Sequence, residues 1–514
     1  MMKSKFNIPG WQWIVAAVVF FVAVLTLQQY ILYDMEQARV FVYEGNRIME
    51  QVMRVGGIAD LIALFLQQFF LFSVASAAIM AILLVLVSVC LNKVYGLAVG
   101  RETFLAEKAF CTLPAALLFV YTEGKIFFIT GHVAILLSSV ALLAGACLAN
   151  KKSIIAYALI PVVVLFAGFA ASTAVWPMVA ALTIYALLYR KNYIAAGVTV
   201  ASAVVMVVLA RYACLAFTTV EFTSPDVFSY RLQIPTTMSW VWATMVAVVI
   251  VPFIMKKFVS EKIVKHISVA FIMIAVVVGI TSKAYKAHHD DDTYMQLRLQ
   301  RWVDTGEYAK AMDFCGGYMN NIYIANNYFM MYSQSGNIEN EVGGILQHSE
   351  QLVMPGSSMR HVRRHLMTLY YYIGYVNGAQ REAFEYNEPS EGMMMPAAVK
   401  ILALTNIIQG NYAAADKYLG YLDRTLFYSD WAKGYRKFLY NDKAVEKDPE
   451  LGPRRKAMEI LSVPQSWTTV PRIIAQIASV CPDLPAENYK KAYSRLGTYN
   501  VTNYEIPRQS YIQY

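Results

Sequence analysis

The sequence predicts an all-α protein in two parts, a polytopic helical membrane domain over residues 1–285 and a helical-repeat domain over residues 286–514. Three observations predict it. Apolar runs of membrane length recur through the first half, separated by short loops bearing Lys and Arg. From His288 onward no such run occurs, and the chain turns polar and Tyr-rich. Within that second half a Gly–Ala–aromatic pattern recurs at helical spacing. Composition agrees: 57% hydrophobic residues, 15% charged residues and a mean hydropathy of +0.42 lie far from a soluble average. At 514 residues the chain also exceeds one ordinary domain.

Nine candidate spans follow in order: 12–33, 71–92, 109–122, 127–149, 154–172, 174–189, 193–218, 238–255 and 266–283. A helical run of ~20 apolar residues crosses ~30 Å of hydrocarbon with its backbone satisfied internally. The first run follows Lys3 and Lys5, is too long for a signal-peptide core and has no small-residue cleavage site after it. It reads as a retained anchor. Between the first two long runs, residues 34–60 mix Val40, Phe41, Ile48, Val52 and Val55 with charged residues, the pattern of an amphipathic segment on the membrane surface. Leu61–Phe70 is apolar but interrupted by Gln67 and Gln68, which suits an interfacial segment, a re-entrant one or an extension of the second span.

Charge sets the orientation. With the N-terminus in the cytoplasm, the inside carries Lys3, Lys5, Lys93, Arg101, Lys108, Lys151, Lys152, Arg190, Lys191, Lys256, Lys257, Lys262 and Lys265. The outside carries Arg39, Arg47, Arg54, Lys125 and Arg231. Deleting the short run 109–122 would reverse every later loop and move the basic clusters outside, against the positive-inside bias. The C-terminal half is therefore expected outside the cytoplasm, with the bilayer as the first partner. The same bias accounts for the net charge of +9 without a nucleic-acid partner.

The second half reads as helix–turn–helix repeats. Gly306, Tyr308, Ala311 and Phe314 match Gly410, Tyr412, Ala415 and Tyr418 at every offset. Gly378, Ala383 and Tyr386 keep three of those positions, and a fainter copy begins at Gly336. These glycines lie near the ~34-residue tetratricopeptide period. Each Gly is expected to end a first helix in the left-handed conformation, and each Ala to let the paired helix approach. Such a domain suits a protein partner in the cell envelope.

Candidate functional residues are few. Arg211 lies inside an apolar span, where a charge is costly unless paired, and its fork suits a phosphate. His132 lies near the outer end of another span and is a second candidate substrate contact. His288–Asp292 reads as a polar linker ahead of the next helix rather than a metal site. The six cysteines are scattered without metal-ligand spacing, so neither a metal nor another cofactor is indicated. Walker A, GxSxG, HExxH and dinucleotide-loop motifs are absent, which argues against the corresponding ATPase, hydrolase and dehydrogenase classes.

Gly56–Phe70, Asn326–Gly336 and Gly378–Glu385 resemble an uncharacterised family of Bacteroidota multipass membrane proteins with tetratricopeptide-like tails. That resemblance implies a bacterial cytoplasmic (inner) membrane location with a periplasmic C-terminal domain, but no activity; it is the helical-repeat domain, presented outside the cytoplasm, that points to a scaffold or assembly role in a cell-envelope process. The first 150 residues also resemble the start of GT-C membrane glycosyltransferases, in which an outward loop after the anchor helix bears a catalytic acid. Asp34 and Glu36 stand at that position, separated by Met35 instead of forming a dense acidic pair. The resemblance implies a polyprenyl-phosphate sugar as substrate. A transporter is disfavoured by the few charges within spans and the lack of an inverted repeat.

Reporter fusions test the orientation. Fusions at Lys151, Lys191 and Lys257 are expected to report cytoplasm and fusions after Asp292 the opposite side. A cytoplasmic signal after Asp292 overturns the assignment.

Overall fold

A computed structural model describes residues 10–124, 128–213, 236–333, 352–354, 359–387, 394–460 and 470–495. These residues are helical, with no strand among them. The chain forms two compact units: residues 1–36 with 43–290, and residues 37–42 with 291–514.

The first unit contains α1 (Trp11–Leu27), α2 (Gln29–Ala38), α3 (Gly45–Val52), α4 (Gly57–Gln67), α5 (Ser73–Val99), α6 (Leu105–Cys111) and α7 (Leu113–Tyr121). It continues with α8 (Thr130–Ala149), α9 (Ile154–Ala171), α10 (Val175–Leu188), α11 (Tyr193–Ala213), α12 (Thr236–Phe258), α13 (Glu261–Val264) and α14 (Ile267–His288). Five stretches among the described residues are long and apolar enough to cross a membrane: 73–99, 130–149, 154–188, 237–258 and 267–288. Counting the bent pair α1 and α2 as one crossing gives six. The chain is thus a multipass membrane protein by helix length and composition, with fewer than nine such stretches among the described residues.

The shortfall has local causes. The first run breaks at Gln28, where the axis turns by 74°. The run 109–122 is split at Thr112 into helices of 7 and 9 residues, with Pro114 in the first turn of the second. Pro lacks an N–H and is tolerated there because first-turn N–H groups have no intrahelical partner. Of residues 193–218, those described, 193–213, form the single helix α11.

The stretch 154–188, counted once above, is two helices, α9 and α10, that fold back at Ser172, whose φ of 48° is left-handed, so it makes two passes where a straight helix would make one. Hydrogen bonds fix the reversal. Tyr185 Oη donates to Asn150 Oδ1 at 2.8 Å, while Tyr157 Oη donates to Asn192 Oδ1 at 3.1 Å. The start of α9 and the end of α10 therefore lie together. Gly145 permits α8 to meet α10, since a Cβ there would stand 2.6 Å from Leu182 Cδ2.

This arrangement gives the first unit two chemically different ends. At one, Asn192 Nδ2 donates to Ala149 O, Arg190 Nη2 to Leu97 O and Tyr189 Oη to Val249 O. Arg101 pairs there with Glu107 and Glu261. Lys151, Lys152 and Lys191 occupy the turns of the same end. The opposite end holds the break at Gln28, the α3–α4 turn and the Ser172 reversal, where Gly56 N donates to Phe169 O at 2.7 Å.

The second unit contains α15 (Asp291–Asp304), α16 (Tyr308–Gly316), α17 (Ile322–Ser333), α18 (Arg360–Ile373), α19 (Val376–Asn387), α20 (Pro396–Ile408) and α21 (Tyr412–Asp423). It closes with α22 (Ser429–Tyr435), α23 (Asp442–Lys447), α24 (Leu451–Ile460), α25 (Val470–Val480) and α26 (Ala486–Arg495). Three helix pairs share one turn. Gly306, Gly374 and Gly410 all have positive φ. Each donates three residues back, to Val303, Tyr371 and Ile407. The residue after each donates five back, Glu307 to Trp302, Tyr375 to Tyr370 and Asn411 to Asn406, all at 2.8 Å. This pattern closes a helix C-terminus around a left-handed Gly.

Five residues beyond each Gly lies a fully buried Ala: Ala311, Ala379 and Ala415. The middle pair corrects the sequence register. Gly374, not Gly378, makes the turn, and Gly378 sits inside α19 against the Tyr375 ring. The slip is four residues, about one helical turn, so Ala383 is buried on the same face as Ala379. The copy at Gly336 and the tail after 495 lie outside the described residues.

Two buried arginines tie these pairs together. Arg454 Nε donates to Tyr371 O and its Nη2 to Tyr372 O, at the end of α18. Arg455 Nε and Nη2 donate to Ile408 O and Ile407 O, at the end of α20. Arg455 also reaches Tyr412 Oη and Asp442. Cys315 and Cys481 are buried free thiols. Arg455→Met should lower the stability of this unit by about 3 kcal/mol, because buried carbonyls lose their donors. Arg436→Met, which breaks a more exposed pair, should cost under ~1 kcal/mol. Denaturant unfolding of both variants checks the contrast.

Candidate functional site

The break between α1 and α2 exists because Gln28 turns its amide inward. It is fully buried, and its Nε2 donates to Phe119 O and to Glu123 Oε1, both at 2.8 Å. Those bonds draw the first helix to the end of α7. Glu123 follows α7, and its side chain is 1% exposed. Its Oε2 stands 2.6 Å from Nδ1 of His289, the residue after α14. Tyr285, one turn earlier, stacks on the His289 ring at 4.8 Å and on Phe119 at 6.2 Å. Three distant segments thus meet in one carboxylate–imidazole–amide cluster. Burial pushes the Glu123 carboxyl above its usual range, opposed by its hydrogen bonds to His289 and Gln28.

Next to it, His132 is buried in α8 with Nε2 3.3 Å from Thr122 Oγ1, and Tyr121 packs beside its ring. Asp60, in the first turn of α4, accepts from Thr130 Oγ1 at 2.6 Å and from Gln51 Nε2. Gln67 Nε2 donates to Met35 O, which anchors α4 to α2. The loops at this end therefore carry buried amides and carboxylates, while Lys151, Lys152 and Lys191 occupy the turns of the opposite end.

The predicted residues fall as follows. Asp34 and Glu36 both lie on α2, Asp34 half-buried and Glu36 fully buried. They follow Gln28 on the helix that its amide redirects. His132 meets Thr122, the residue before Glu123 in the chain. Arg211 lies in α11, with its side chain outside the described residues, as are Lys125, Glu221, Asp226 and Arg231. Among the described residues no cluster of three His, Cys, Asp or Glu could hold a metal ion.

Sequence reasoning did not select Gln28, Glu123 or His289 as site residues. The available signals were a Gln deep in an apolar run and a Glu directly after one. What was missing was the pairing itself, since Glu123 and His289 are 166 residues apart.

These features define a class, a multipass helical membrane protein with a second helical unit. The chain belongs to the DUF6057 family, a family of unknown function whose model matches residues 6–486. No curated protein and no solved structure matches it.

Proposed function

We propose that the protein sits in a bacterial inner membrane and presents a tetratricopeptide-like helical-repeat unit outside the cytoplasm, as a scaffold or assembly factor of a cell-envelope process. The observation that carries the reading is the turn shared by Gly306, Gly374 and Gly410. These glycines stand 68 and 36 residues apart, near two periods and one period of the ~34-residue tetratricopeptide repeat. Helical repeats stacked in this way offer extended surfaces to protein partners. The orientation is supported by the basic turns at one end of the first unit, which the positive-inside bias assigns to the cytoplasm.

A second reading, a GT-C-like polyprenyl-phosphate-dependent glycosyltransferase, is favoured by the helices after the anchor. The 74° bend at Gln28 redirects the chain into α2 with Asp34 and Glu36, followed by the amphipathic α3 and by α4. In this reading Asp34 or Glu36 addresses the acceptor, while Arg211 and His132 contact the donor.

Reciprocal affinity purification from cross-linked cells tests the first reading. Full-length protein is expected to recover defined envelope proteins, each of which recovers it in return, and removal of residues 291–514 should abolish their recovery at normal abundance. Recovery that persists without those residues contradicts a scaffold working through the repeat unit.

A further inference from the structure

Two turns of the first unit lie side by side and carry Lys151 and Lys152, between α8 and α9, and Arg190 and Lys191, between α10 and α11. Asn192 locks them together: its Nδ2 donates to Ala149 O at 3.0 Å, and its Oδ1 accepts from Tyr157 Oη at 3.1 Å. Tyr185 Oη closes the same junction on Asn150 Oδ1 at 2.8 Å. The basic residues therefore stand on fixed backbone. Arg190 bonds neutral oxygens, Leu97 O and Tyr185 Oη, and the three lysines are exposed. Among the described residues no acidic side chain pairs with any of these four cations. Arg101, at the same end, is instead neutralised by Glu107 and Glu261.

The positive-inside bias accounts for Lys and Arg in such loops, but not for this backbone. Lys152 and Lys191 have φ of 43° and 46°. Side chains with a Cβ rarely adopt that conformation, and Gly or Asn would hold either turn at lower cost. Loop charge can sit at any position of a loop, so a lysine at the left-handed position of both turns marks a side chain in use. The residues just past each turn define the ligand. Ile154 and Ile155 open α9 at 87% and 73% exposure, and α11, packed on α9, opens with the exposed Tyr193 and Ile194. Apolar side chains that begin directly after the lysines mark the boundary of the hydrocarbon, and Tyr193 stands at headgroup level.

We infer that the paired turns form a binding site for an anionic phospholipid. Its phosphate lies between Lys151 and Lys152 on one turn and Lys191 on the other, with Arg190 adding charge beneath, and its acyl chains run along Ile154, Ile155 and Ile194. Basic sites between membrane helices recognise lipid phosphates in this way. A soluble phosphate would match the charge and leave the apolar half unused. The inference is independent of both functional readings above.

The test uses full-length protein in detergent. Phosphatidylglycerol should raise its melting temperature and stay bound in native mass spectrometry, because a ligand of the folded state stabilises it. Phosphatidylcholine and inorganic phosphate should do neither. Lys152→Asn combined with Lys191→Asn keeps residues that suit left-handed backbone and should weaken phosphatidylglycerol binding by roughly tenfold or more. Lys262→Asn combined with Lys265→Asn removes the same charge from the segment that holds Glu261 and should leave binding nearly unchanged. Equal loss in the two double variants reduces the effect to general surface charge and overturns the site, as does equal protection by inorganic phosphate. In the native chain, with no substitution, a photoreactive phosphatidylglycerol should label residues 154–155 or 193–194. Labelling confined to other segments overturns the site as well.

Discussion

A helix that ends inside an apolar protein leaves its last carbonyls without partners, and the structure depends throughout on side chains that supply them. The last four C=O groups of any α-helix lack an intrahelical donor, and in hydrocarbon no water replaces it. Here Gln28 serves Phe119, Gln67 serves Met35, Arg190 serves Leu97 and Asn192 serves Ala149. In the second unit Arg454 and Arg455 do the same for α18 and α20. Each donor is distant in sequence from its carbonyl, so each bond satisfies the backbone and also selects which helix ends meet.

The cluster at Glu123 follows from that constraint. Gln28 must leave the α1 axis to reach Phe119, and in doing so it brings its amide to the Glu123 carboxylate. The first helix then bends instead of running on, and α2 carries Asp34 and Glu36 away at an angle. One residue thus accounts for why the first apolar run is not a straight span. The opposite end is built from Asn150, Tyr157, Tyr185 and Asn192, around turns rich in Lys and Arg.

How much of this the sequence disclosed depends on the range of the interaction. The apolar runs that became α5, α8, α12 and α14 were legible because length and hydropathy are local properties. The turns at Gly306 and Gly410 were legible because a Gly followed by a buried Ala at fixed spacing has one cause. The middle pair misled, since Gly378 and Gly374 differ by about one turn of helix and bury the same face. The breaks at Gln28 and Thr112 were not legible, because apolar periodicity continues through both. Of the site, Asp34 and Glu36 were visible as acids after a span and His132 as a polar residue within one. Glu123 and His289 each have an ordinary local explanation, and only the tertiary fold pairs them.

The central claim is that the first unit has two distinct ends, which requires 154–188 to fold back at Ser172. Paired cysteines in place of Lys151 and Tyr193, in a chain otherwise free of cysteine, test this most directly. The account predicts an efficient intramolecular link with a short bifunctional thiol reagent, because Asn192 Nδ2 bonds Ala149 O at 3.0 Å. A straight 35-residue helix would hold the two sites roughly 50 Å apart at ~1.5 Å per residue. Absence of the link, with both thiols accessible to a monofunctional label, would contradict the account.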